Sequence, residues 1–110
     1  MGKGNVYYNR DDYQGSIGPY RAAARAQPDN PMAQAYLGDA FLALERYDEA
    51  RTAYEAALRL DGEDVVSLVG MVKVLVKQGD MPGARARLNT LRRVDPSAAR
   101  RVASEVPPET

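Results

Sequence analysis

The sequence predicts an all-α fold. The expected form is a right-handed α–α superhelix, a solenoid of about two and a half helix-turn-helix repeats closed by a C-terminal capping helix. Three observations carry this. The chain aligns with itself at an offset of 34: Phe41 maps to Leu75, Tyr47 to Met81, Ala50 to Ala84, Leu60 to Val94 and Asp61 to Asp95. Backward, the same offset takes Phe41 to Tyr7, Tyr47 to Tyr13, Tyr54 to Tyr20, Ala57 to Ala23 and Gly38 to Gly4. Within 32–44, Leu37, Phe41 and Leu44 recur at spacings of three and four, which makes one helical face apolar. Turn residues keep the same register, with Pro28, Gly62 and Pro96 in phase. A single helical hairpin cannot bury its own apolar face, so stacked neighbours are required.

Taken in order, residues 4–9 read as the last turns of a first helix, with Gly4 in the place of Gly38. About a turn and a half of that helix is then missing upstream, and truncation of a longer protein is the expectation. Ser16 reads as the N-cap of the next helix, which puts Pro19 in its first turn and ends it at Ala26. Asp29-Asn30-Pro31 is the following turn. Residues 31–64 form the central repeat: a helix over 32–44, a turn at Glu45-Arg46-Tyr47-Asp48, and a helix over 48–60. The second of these carries Ala50, Ala53, Tyr54, Ala57 and Leu58 on one side, and Asp61-Gly62 ends it, glycine being favoured just past a helix.

Residues 65–96 repeat the pattern. Their first helix, 65–78, is Val-rich, but the helical phase of the preceding repeat overrides the weak strand preference of Val. Gln78-Gly79-Asp80 is its turn, and Pro82 falls in the first turn of a helix over 81–94. Asp95-Pro96 reads as N-cap and first residue of a final helix, so residues 97–106 are assigned to a cap over the last repeat and 107–110 to a disordered tail. One domain therefore spans 1–110, with a partial repeat at 4–30.

Composition narrows the chemistry. A chain of 110 residues that is 45% hydrophobic supports one modest core. It has no Cys and no His, which removes disulfides, thiolate metal sites and the commonest general base. No cofactor and no enzymatic activity are expected. Paired carboxylates at Asp11-Asp12 and Glu63-Asp64 are read as helix-start charge complementarity. Net charge is zero, yet residues 1–64 carry −4 and residues 65–110 carry +4. No apolar run reaches membrane-spanning length, and no signal-peptide core is visible at the start. The compartment stays open, with a soluble cytoplasmic protein preferred.

Leu37-Gly38, Phe41, Ala50, Tyr54 and Ala57, at this spacing and with a period of 34, resemble the tetratricopeptide repeat signature over roughly residues 4–96. Gln34 replaces the first aromatic of that signature, Val72 its small residue in the third repeat, and Leu91 its later Ala. The resemblance implies a non-enzymatic scaffold whose first helix in each repeat lines a concave groove for a peptide or helix of a partner. The implied lining is Asn5, Tyr8 and Asn9, then Met32, Ala35, Tyr36, Asp39 and Leu42, then Val66, Val69, Lys73, Val76 and Lys77. Chaperone-binding members hold a terminal carboxylate with Lys, Asn and Arg. Asn5 fits one such position, but Tyr36, Val66 and Gly70 occupy others, so an acidic C-terminal tail is not the expected client.

The alternative function is a self-assembling scaffold that stacks through its end repeats. Opposite charge at the two ends and apolar surface from Val6, Tyr7 and Tyr20 point to a weak homo-oligomer. Arg85, Arg87, Arg92, Arg93, Arg100 and Arg101 lack interleaved aromatics and are read as a solvated helix face, not a nucleic-acid site. The protein partner itself has no signature in the sequence.

Overall fold

The computed structural model describes residues 10–107. Among them are six helices and no strands: α1 (Arg10–Ala26), α2 (Pro31–Ala43), α3 (Tyr47–Leu60), α4 (Val65–Lys77), α5 (Met81–Val94) and α6 (Pro96–Ala103). The predicted helix over 4–9 and the end of the predicted tail lie outside the described residues.

Side chains with short acceptors start most of these helices. Asn30 accepts from the Met32 N–H, Asp64 from Ser67, Asp80 from Gly83 and Asp95 from Ala98, at 2.9–3.1 Å. Each bond satisfies a donor that the helix itself leaves unpaired. Pro lies at the start of α2, α5 and α6, where its missing N–H is harmless. α3 has no side-chain cap; its first turn carries Asp48 and Glu49, which favour the positive end of the helix dipole.

α2 and α4 end identically, 34 residues apart. Arg46 N–H donates to Phe41 O at 2.9 Å and Glu45 N–H to Leu42 O at 2.9 Å. Asp80 N–H donates to Leu75 O at 2.8 Å and Gly79 N–H to Val76 O at 3.1 Å. Both are Schellman closures, which need a left-handed residue at the turn. Gly79 takes it at φ 81, but in the other repeat Glu45 is forced there at φ 62.

Three expectations are corrected. α1 begins at Arg10, not near Ser16, and runs through Pro19. Ser16 caps nothing; its hydroxyl donates to Tyr13 O at 2.8 Å. Pro19 lies inside α1, not in its first turn, and the residue whose carbonyl it leaves without a helical donor, Gly15, is exposed. Gly62 follows α3, but its φ is not positive. α3 ends instead with an extended Asp61 whose side chain accepts from Glu63 N–H at 3.0 Å. The last helix closes at Ala103, three residues short of the assigned 106, with turn bonds from Glu105 to Val102 and from Val106 to Ala103.

Each helix packs on the next in sequence. Beyond that, α2 meets α4 and α4 meets α6, whereas α1, α3 and α5 do not meet one another. The chain therefore forms two rows, and the row of α2, α4 and α6 is the one drawn together, as on the inside of a bend. The core wedge between rows is Tyr54 of α3, which is fully buried. Its ring lies against Gly38 of α2 and Gly70 of α4. A Cβ added to Gly38 would come within 2.6 Å of Tyr54 Cδ1, and one added to Gly70 would penetrate the ring. In the next repeat the counterparts of Gly38 and Tyr54 are Val72 and Leu88. The glycine gains bulk while the aromatic loses it, and both are buried in the same core. Leu91 is likewise buried, so both departures from the signature lie inside the core. Ala98, Ala99, Val102 and Val106 seal the far end.

Candidate functional site

The inner row carries the candidate site. Asp39 and Leu42 of α2 meet Val66, Val69 and Lys73 of α4 around one open cavity of about 490 Å³. These five were all predicted from the sequence. Ala43, Val65 and Gly70 complete its walls, and two residues come from unexpected places: Tyr13 of α1 and Arg101 of α6.

The repeat geometry explains Arg101. Asp95 both ends α5, through its N–H to Leu91 O at 2.7 Å, and caps α6. No linker separates the two helices, so α6 starts three residues ahead of the 34-residue register. Counted from the first helical residue, Arg101 is the sixth of α6, as Gly70 is of α4 and Tyr36 of α2. One inner column thus reads Tyr36, Gly70, Arg101. Arg101 is exposed, as expected of a solvated helix face, and this phase shift places that exposed side chain at the groove. The signal was present in the direct Asp95-Pro96 junction, but it needed the position of α6 to be read.

The remaining predicted residues divide. Tyr36 is 39% exposed and lines a second cavity of about 240 Å³ with Tyr13, Ser16, Tyr20 and Asp39. Its ring sits 5.8 Å from that of Tyr20, tilted by 36°. Asp39 and Tyr13 border both cavities and form the ridge between them. Met32 is 36% exposed but lies outside both, on the first turn of α2. Val76 packs against the core, and Lys77 is exposed at the end of α4; neither lines these cavities. Ala35 is a correction: it is wholly buried and has no surface to offer a partner. Gly38, three residues on, faces the core beside it, while Leu37 lies nearly opposite; α2 is buried round most of its circumference because it packs against α1, α3 and α4. Asn5, Tyr8 and Asn9 lie outside the described residues.

Charge in the groove is arranged around Asp39. The Tyr54 hydroxyl donates to Asp39 Oδ1. Burial pushes the Asp39 carboxyl above its usual 3.8, and Asp64 adds to this, while the Tyr54 hydrogen bond and the Lys73 charge pull it back. The Tyr54 phenol is driven up in turn, by burial first and then by the neighbouring carboxylate, so it stays a hydrogen-bond donor. Among the described residues Lys73 and Arg101 make no ion pair; the pairs seen there are Arg46–Glu49 and Arg51–Glu55.

The cavity thus combines an aliphatic floor with two cations and one engaged carboxylate. Among the described residues no cluster of His, Cys, Asp and Glu could hold a metal ion. No described helix is long and apolar enough to cross a membrane. Two family models, each described as tetratricopeptide repeat, match the chain, one over residues 1–65 and the other over residues 41–104.

Proposed function

Because the chain belongs to the tetratricopeptide repeat family, whose repeats are protein–protein interaction modules without catalytic function, we propose that it acts as a non-enzymatic adaptor. Its inner row holds a peptide or short helix of a partner protein. The observation that carries this reading is the cavity between α2, α4 and α6, where Leu42, Val65, Val66 and Val69 offer apolar surface beside Lys73, Arg101 and Asp39. A mostly apolar concave surface with a few placed polar groups is the usual form of such a site.

A displayed library of random dodecapeptides tests the reading. The wild type should select sequences that Val69→Glu does not retain, since a carboxylate on the floor opposes an apolar side chain there. Val69 is half-buried and also packs against the core, so the variant should melt below the wild type, and the selections are compared at a temperature where both are folded. Selected sequences that bind both proteins equally would place the interface elsewhere.

A further inference from the structure

The groove's charge points to the chemistry of its occupant, and this inference rests on the adaptor reading above. Lys73 and Arg101 reach the same cavity from different helices. Neither makes an ion pair among the described residues, although Lys73 is near enough to Asp39 for its charge to act on that carboxyl; Asp39 also accepts from the buried Tyr54 hydroxyl, and two cations against one carboxylate leave the cavity net positive. Two cations therefore stand over a floor of Leu42, Val65, Val66 and Val69. An apolar wall beside a cation excludes water on one side and strengthens attraction to an incoming anion. Among the described residues no Asn or Gln side chain lines the cavity beside these two cations.

We infer that the groove selects an internal Asp or Glu flanked by aliphatic residues in the bound segment, with the carboxylate between Lys73 and Arg101 and the aliphatic side chains on the valine floor. A guanidinium and an ammonium converging on one carboxylate give charge-assisted bonds that a neutral amide does not replace. The choice of anion then comes from α6 as much as from the repeats, because Arg101 reaches the groove through the early start of that helix.

The test uses three heptapeptides on the full chain. One is acetylated and amidated Ala-Leu-Val-Glu-Leu-Val-Ala. The second replaces its Glu with Gln. The third keeps the Gln and ends in a free carboxylate. Isothermal titration should show the Glu peptide binding about tenfold tighter than its Gln twin, a margin that added salt reduces. Lys73→Met and Arg101→Met should each bring the two capped peptides to near-equal affinity, with melting temperatures close to wild type. Lys73→Gln repeats the test with a polar side chain in case the Met variant alters the fold. Equal binding of the capped peptides to wild type overturns the inference and leaves the adaptor reading in place. Preference for the third peptide overturns it in favour of a chain terminus. No binding of any peptide to a folded wild type overturns both readings.

Discussion

The Tyr54 ring occupies the space in which a side chain on Gly70 would begin. Gly38 bounds the same ring from α2, so one aromatic fixes the approach of two helices of the inner row. The hydroxyl of that aromatic also holds Asp39 at the edge of the groove. Core and candidate site thus share one residue.

Gly70→Ala should destabilise the fold by about 1–3 kcal/mol, the usual cost of overfilling a packed interior. Tyr54→Leu alone should also destabilise, by leaving a void and an unpaired Asp39. The double variant should be more stable than the sum of the single losses predicts, because Leu makes room for the new methyl group. Urea denaturation of the four proteins measures this; simple additivity would mean that Gly70 and Tyr54 do not share the space.

Glu45→Gly should raise stability by about 1 kcal/mol, since a non-glycine residue in the left-handed region is strained and glycine is not. Gly79→Ala, at the matching turn, should lower it by about 1 kcal/mol for the same reason. The two changes should leave the helical circular dichroism signal unaltered. A loss of stability in Glu45→Gly would show that the Glu45 side chain contributes more than its backbone strain removes.

Ser67 is fully buried and its hydroxyl has no hydrogen-bond partner among the described residues. The residue 34 positions earlier is Ala33, also buried. Ser67→Ala should therefore stabilise the protein by about 1 kcal/mol, the penalty for leaving a buried polar group unpaired. A destabilised variant in thermal melts would reveal a partner for that hydroxyl.

Asp39 predicts a pH dependence with a definite sign. Its folded carboxyl titrates above the unfolded value of 3.8, with burial the main cause and Tyr54, Lys73 and Asp64 the groups that act on it. Between the two values the folded chain holds more proton than the unfolded chain, so this group's contribution to stability falls as pH rises through that window. Above the folded value the loss is complete and constant. Asp39→Asn keeps an acceptor for the Tyr54 hydroxyl and removes the buried charge. Its stability relative to wild type should rise from pH 3 to pH 7; a difference that is flat across this range in urea denaturation would exclude Asp39 as the source.

Local chemistry was legible in the sequence. The period of 34 and the apolar spacing predicted the helices from Pro31 to Val94 to within a residue or so, because each is bounded by its own cap and turn. Asp39, Leu42, Val66, Val69 and Lys73 are grouped through the tetratricopeptide resemblance, and the structure sets them round one cavity. What lay beyond local rules was decided by the tertiary structure. Pro19 sits inside α1, and Gly15, whose carbonyl it leaves without a helical donor, is exposed, which depends on how α1 packs. Ala35 is buried because α2 is covered by α1, α3 and α4 together, which the spacing of three and four along one face does not reveal. Arg101 enters the groove because Asp95 joins α5 directly to α6 and shifts the phase of the last helix. A repeat specifies which side chains share a face; only the packed stack decides which faces remain open and which side chains from outside the repeat reach them.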